Sequence, residues 1–188
     1  MLRSAIARRA ATLLVPLATI ACPGARDPAA PPCPLGARED PSRAAAVLED
    51  LSHEPESASL LEPARRLTLC FGDVAQAVLV GDHVAVLDAR AAGPQATARL
   101  AHLAEHARAP ISFTGEDCLE AALAAEARAW AIELTIQDRH GVVSDDIGVG
   151  FEALPPEERR ARALAHLRAG PPSFAAHYRA LCDRSPRP

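Results

Sequence analysis

The sequence predicts an α+β fold that is mainly helical, with a small antiparallel β-hairpin sheet packed beside a histidine-bearing helix. Two observations indicate this class. Apolar residues recur at helical spacing in several segments bounded by proline or glycine, and two short valine-rich runs flank a glycine-containing turn. Aromatic residues are only 3% of the 188 residues, so the core of a single domain must consist mostly of smaller aliphatic side chains.

The first predicted helix begins at Asp40 and Pro41, a pair that suits a helix start. Val47 and Leu51 follow at helical spacing and indicate the face that is buried. The next segment, residues 54–63, is polar and contains two prolines, which predicts a loop.

Strands are predicted over residues 67–72, 77–80 and 84–87, where aliphatic side chains are concentrated. Gly81 and Asp82 lie between the last two runs and suit a tight hairpin turn. We therefore expect these strands to form a small antiparallel sheet.

Four further helices follow the predicted sheet. Pro94 begins the first and Pro110 ends it, because proline fits the first turn of a helix and interrupts a later one. The second runs from about residue 116 to residue 140 and ends at a glycine. The last two, over residues 157–169 and 173–182, are separated by a Gly-Pro-Pro sequence.

The N-terminus has the order of an export signal, with arginines first and then an apolar run over residues 10–21. The run is too short to remain in a bilayer as a spanning helix. Its end, Leu-Ala-Thr-Ile-Ala-Cys over residues 17–22, resembles a bacterial lipobox. The resemblance implies a lipoprotein signal peptide over residues 1–21, a lipid on Cys22, and a place in the bacterial cell envelope facing the periplasm or the exterior. The alternative is an ordinary secretory signal cleaved near Ala21.

Residues 22–39 are rich in proline and alanine and are interpreted as a tether, followed by a single domain over residues 40–184. The formal net charge of −4 argues against a nucleic-acid partner, because such binding depends on neutralising phosphates. Arg159, Arg160 and Arg162 have glutamates beside them and are interpreted as a solvated helix face; the alternative is a phosphate-binding patch. The expected partners are the lipid membrane, through Cys22, and a peptide or protein.

The other four cysteines form an even set that suits two disulfides in an oxidising compartment. They are Cys33, Cys70, Cys118 and Cys182. None of them has the CxxC spacing of a structural zinc site. Three pairings are open, of which we favour Cys33–Cys70 with Cys118–Cys182.

His102 and His106 are four residues apart on a predicted helix, so both imidazoles project from one face. At about 100° per residue, this face lies away from the apolar stripe that contains Leu100. The pair is therefore either a set of metal ligands in a cleft or two solvated side chains. Glu126, on the next predicted helix, is a candidate third ligand, and Glu133 lies two turns further along the same face.

A small sheet, a helix with two histidines and a following helix with a glutamate together resemble the zinc metallopeptidases called gluzincins. The resemblance covers about residues 67–140. It implies a zincin-like fold in which His102, His106 and Glu126 bind zinc, while Glu133 is an outer-shell or structural acid.

The general base of the gluzincin motif HExxH follows its first histidine, and Leu103 occupies that position here. Glu105 instead gives the order HxxEH found in inverted zincins, which makes it the candidate catalytic base. Three interpretations follow. We favour a zinc-peptidase-like lipoprotein that has lost catalysis; the others are an active peptidase using Glu105 and a non-enzymatic, disulfide-stabilised binding or scaffold lipoprotein.

Overall fold

The structure is a computed structural model, and it describes residues 33–34, 36–111, 113, 115, 117–143, 147–170 and 172–184. The signal peptide, Cys22 and the first part of the predicted tether lie outside the described residues. The fold is mixed α+β and mainly helical, as the sequence predicts.

Helix α1 (Pro41–Ser52) begins where the sequence predicts. The Asp40 carboxylate accepts a hydrogen bond of 3.1 Å from the backbone N–H of Arg43, which caps the helix. Val47 and Leu51 are buried in the core.

Helix α2 (Ser57–Arg65) occupies most of the segment that was predicted to be a loop, and that prediction is wrong. Pro63 lies inside the helix, where it lacks the N–H that a helical residue donates. Leu60 and Ala64 on the same helix are fully buried in the main core, which also includes residues of α1. Burial of this apolar face offsets the hydrogen bond that proline cannot make.

The sheet has four strands among the described residues, in the order β1 (Ala37–Glu39), β2 (Thr68–Gly72), β4 (Val84–Asp88) and β3 (Val78–Val80). The predicted hairpin is confirmed, since β3 and β4 pair antiparallel. Gly81 follows β3 with φ +60°, in the left-handed region that glycine adopts without strain.

The sheet is not wholly antiparallel, because β2 pairs parallel with β4 and the hairpin extends outward from that pair. The two central strands are almost entirely buried, which favours a parallel pair covered on both faces. Strand β1 pairs antiparallel with β2 and lies inside the range 22–39 assigned to the tether. The end of that range is therefore part of the fold.

Four helices follow the sheet and agree closely with the predicted ones. They are α3 (Pro94–Arg108), α4 (Cys118–Arg139), α5 (Pro156–Ala169) and α6 (Pro172–Arg184). Helix α3 contributes to the main core with α1, α2 and the sheet, whereas α4, α5 and α6 enclose a second hydrophobic cluster. Within the described part of the chain, no helix has the length and hydropathy needed to cross a membrane.

Two disulfides join these parts, in the pairing that the sequence analysis favours. Cys33 is bonded to Cys70 of β2, which fixes the chain before β1 to the sheet. Cys118, at the start of α4, is bonded to Cys182 in the last turn of α6. The second link holds α6 against α4.

Candidate metal centre

Two imidazoles of α3 face helix α4 rather than solvent. The side chains of His102 and His106 are only 12% and 13% exposed, so the interpretation as two solvated histidines is wrong. Leu100, Leu103 and Ala104 on the same helix are buried in the main core. Helix α3 therefore packs one apolar face into the main core and presents the two histidines to α4 on another face.

Glu126 of α4 completes a group of three potential metal ligands. Its carboxylate lies 3.0 Å from His106 Nε2 through Oε2 and 3.5 Å from His102 Nε2 through Oε1. The two Nε2 atoms are 3.1 Å apart, and all ligand atoms of the group lie within 4.8 Å of one another. Metal–ligand bonds of about 2.0–2.1 Å in a tetrahedron place adjacent ligand atoms about 3.3 Å apart, so the three side chains are close enough to one another to hold one metal ion.

A second carboxylate, that of Glu133, lies beside the other ring nitrogen of His102. Glu133 Oε2 lies 2.9 Å from His102 Nδ1, although the ring N–H is not aligned for a good hydrogen bond. Glu133 is itself held by Arg99 at 2.8 Å and by the side-chain amide of Gln137 at 3.1 Å. A carboxylate on the far nitrogen of a ligating histidine fixes the ring and raises its basicity. Glu133 therefore lies next to a candidate ligand, a position that suits the outer-shell or structural acid implied by the resemblance.

Tyr178 of α6 is a member of this site that the sequence analysis missed. Its hydroxyl donates a hydrogen bond of 2.8 Å to Glu126 Oε2. It comes 52 residues after Glu126, and no local spacing connects the two. The ring also contacts Phe174 and Phe113, at 5.3 and 6.4 Å between centroids, so aromatic packing and the Cys118–Cys182 link together bring the hydroxyl to the site.

Buried charge shapes the protonation of the group. Burial raises the pKa of Glu126, but the hydrogen bond from His106 and the charges of both histidines outweigh it and hold that pKa at about 2. Burial lowers the pKa of His102, but Glu133 and Glu126 outweigh it, so this pKa lies above its ordinary value of 6.5. Burial and the neighbouring carboxylate raise the pKa of Tyr178, which keeps its phenol protonated as a donor. The charge of the Glu126 carboxylate therefore favours a cation at this position.

A cavity of about 300 Å³ adjoins the site and gives access to it. His106 and Tyr178 form part of its wall, and Leu79 and Asp82 of the β3–β4 hairpin form another part. Most of the other lining residues are apolar, including Ile111. A ligand in this cavity would be next to one of the two imidazoles.

Leu103 and Glu105, the two positions considered for a general base, lie outside the candidate metal group. Leu103 is 2% exposed and belongs to the main hydrophobic core. Glu105 is also 2% exposed, and its carboxylate is bonded by Arg108 at 2.9 Å and Arg128 at 3.3 Å. Glu105 lines a different cavity from His106, so the structure brings His102, His106 and Glu126 together and leaves Glu105 outside that group.

No protein-family model matches the chain, and comparisons with curated proteins and with solved structures gave no match. The zincin resemblance therefore stays a prediction. The functional interpretation rests on the geometry of the site.

Proposed function

We propose that this chain is an exported, lipid-anchored protein whose folded domain binds a single zinc ion through His102, His106 and Glu126 and does not hydrolyse peptides. The observation that supports the zinc assignment is the convergence of three side chains from α3 and α4, which offer one ligand atom each within 4.8 Å of one another. Two further contacts support the assignment. Glu133 lies next to the other ring nitrogen of His102, and the Tyr178 hydroxyl donates a hydrogen bond to Glu126.

The donor set favours zinc over magnesium and calcium. Two imidazole nitrogens and one carboxylate suit zinc and other late transition metals, whereas magnesium and calcium prefer oxygen ligands alone. Three protein ligands leave one tetrahedral position for water or for a group from a partner. When bound, zinc would supply Lewis acidity at that position.

The absence of hydrolysis follows from the environments of Leu103 and Glu105. The first side chain is aliphatic and packs in the core, so it accepts no proton. The second is a carboxylate already shared by two guanidinium groups in another cavity. A proton acceptor near the metal-bound water is what a zinc peptidase requires. We therefore favour binding of a peptide or protein partner at the metal and its adjoining cavity.

Two features support the envelope location. The lipobox-like sequence ending at Cys22 is followed by a stretch rich in proline and alanine. The two disulfides of the described residues suit an oxidising compartment. Incorporation of labelled palmitate into the wild-type chain, and its loss in Cys22→Ala, is the expected result; equal labelling of both would refute the anchor.

Zinc content tests the metal assignment. The protein, purified without chelators, should contain about one zinc per chain by elemental analysis, and Glu126→Gln should contain much less. His53→Ala is the matched control, since His53 is exposed at the end of α1 and belongs to no metal group. A wild-type chain that takes up no zinc, or a Glu126→Gln variant that retains it, would overturn the assignment.

Peptide hydrolysis tests the second part of the proposal. The zinc-loaded protein should cleave no member of a mixed peptide library above the metal-free background. Cleavage that depends on zinc and disappears in Glu105→Gln would instead establish the active peptidase that uses Glu105.

A further inference from the structure

A second cavity, separate from the candidate metal centre, has four arginines among its lining residues. Its volume is about 250 Å³, and its walls come from α2, α3, α4 and α5. We call it the arginine cavity; the charged residues that line it are Glu56, Glu105, Arg108, Arg128, Arg159 and Arg160. Among the described residues, this lining carries four cationic and two anionic side chains, a surplus of two positive charges.

Glu105 lies at the buried end of this set, at 2% exposure. Arg108 bonds both of its oxygens at 2.9 Å, and Arg128 approaches one of them at 3.3 Å. The guanidinium side chains are 44% and 37% exposed, so they extend from the buried carboxylate toward the cavity. The single charge of the Glu105 carboxylate neutralises only one of the two guanidinium groups. Each guanidinium has five N–H donors, so several donors have no acceptor on Glu105.

Glu56 is shared between an arginine outside the cavity and one that lines it. Its two oxygens are each bonded at 3.0 Å by Arg139, which is not in the cavity lining. Arg159 approaches the same carboxylate only to 3.9 Å and donates instead to two backbone carbonyls. Arg160 forms no ion pair with any residue that the structure describes.

We propose that the arginine cavity binds a small oxyanion, a phosphate or carboxylate group carried by a ligand outside the chain. Guanidinium groups recognise these anions through paired, charge-assisted hydrogen bonds. A pair of arginines from α3 and α4 faces residues of α5 across the cavity, so an anion between them would contact both walls. The volume lies somewhat below the range for drug-sized ligands, which suits a small anion or the charged end of a larger molecule.

The anion site is independent of zinc, because the two sets of residues have no member in common. Failure of one proposal therefore leaves the other in place. The anion site also gives Glu105 a structural role in place of a catalytic one. Its carboxylate holds Arg108 and Arg128 in position for the anion.

Binding of inorganic phosphate and of succinate to the full chain, measured by titration calorimetry at constant ionic strength maintained with chloride, tests the proposal. We expect saturable binding of at least one of the two anions. Arg160→Gln should weaken it by about 10-fold, the loss of one charge-assisted contact, and Arg128→Gln should weaken it at least as much. Phosphate alone would identify a phosphate group, and succinate alone a carboxylate.

Arg66→Gln is the matched control, because Arg66 is an exposed arginine outside the cavity. It should bind the anion as the wild type does. Arg160 is exposed at the surface of α5, so its variant should keep the wild-type circular dichroism spectrum and zinc content. No saturable binding of either anion by the wild type, or equal weakening in Arg66→Gln and Arg160→Gln, would overturn the proposal.

Discussion

Two neighbouring residues of α3 face entirely different surroundings. His106 lies among an imidazole, a carboxylate and a phenol, whereas Glu105 lies between two guanidinium groups. Each site contains one nearly buried carboxylate. Glu126 of α4 belongs to the candidate metal site, and Glu105 of α3 belongs to the arginine cavity. The helices are the same, so the contrast comes from the side chains that meet each carboxylate.

One pair of helices therefore carries two sites that differ in the charge and protonation of their side chains. Guanidinium stays protonated at every physiological pH, so the arginine cavity keeps its positive charge and suits an anion. Imidazole loses its proton near neutrality, so the histidine site can exchange protons for a metal ion. A change in one site that leaves the other unaltered would show that the two sites are separate.

The largest expected effect is that of the link between α4 and α6. Replacing Cys118 and Cys182 together by serine opens a loop with a sequence separation of 64 residues, and we expect the free energy of unfolding to fall by about 4 kcal/mol. Urea denaturation measures this change. Zinc affinity should fall as well, because Tyr178 is on α6, whereas the arginine cavity has no residue on that helix. A stability unchanged within about 1 kcal/mol would contradict the prediction.

The next effect separates the two neighbours on α3. His106→Ala removes one of three zinc ligands, and we expect the zinc dissociation constant to rise more than about 100-fold. Arg108→Gln changes the same helix two residues further on and should leave zinc binding within a factor of about 3. Competition with a chromophoric chelator measures both constants. Equal losses in the two variants would show that the sites are coupled.

A smaller effect is expected from the phenol on Glu126. Tyr178→Phe keeps the aromatic packing and removes only the hydrogen bond to Glu126 Oε2, so zinc affinity should fall by about 10-fold, as for an outer-shell partner. The same chelator competition applies, with anion binding as the internal reference. An affinity equal to that of the wild type would show that the hydroxyl does not orient the carboxylate.

The smallest effect is the pH dependence of the metal-free protein. The raised pKa of His102 gives a stability contribution that is fully present below its ordinary value of 6.5 and is lost as pH rises through the folded pKa. The lowered pKa of Glu126 gives a contribution present above its ordinary value of 4.5 and lost as pH falls toward about 2. Stability from these two groups should therefore be greatest between about pH 4.5 and 6.5.

Urea midpoints of metal-free protein, measured from pH 6 to pH 9, test the basic side of this range. The midpoint should decrease with rising pH, and the decrease should be smaller in Glu133→Gln, which removes a carboxylate beside His102. Zinc affinity should rise over the same interval, because protons no longer compete for the imidazoles. A midpoint that does not change with pH in the wild type would contradict the assignment of charge to this site.

Most of the helices and the pairing of His102 with His106 on one face could be predicted because both follow from local periodicity. Four-residue spacing places His102 and His106 on one face, and the helix boundaries at proline and glycine hold at both α3 and α4. The prediction of a loop over residues 54–63 is wrong because the polarity and the two prolines of the segment were taken to indicate a loop. Burial of α2 in the main core is a tertiary effect that its sequence alone does not show.

Long-range contacts account for what could not be predicted. Tyr178 reaches Glu126 only because α6 packs on α4, and the parallel pairing of β2 with β4 depends on where the hairpin docks. Arg160 is exposed, as expected of a solvated helix face, whereas Arg159 is only 19% exposed and donates to backbone carbonyls before α5. Glu105 was a candidate base on spacing alone, and its arginine partner on α4 lies 23 residues away.

The link between Cys118 and Cys182 also sets an order of events for the folding chain. Cys182 is in the last turn of α6, so α6 is synthesised after the other described helices and is covalently linked to α4 only after both thiols have been oxidised. Until then the packing of Tyr178 and Phe174 against the second hydrophobic cluster holds the phenol near Glu126 without a covalent link. The hydrogen-bond donor to Glu126 would therefore be held more firmly in an oxidising compartment than in a reducing one.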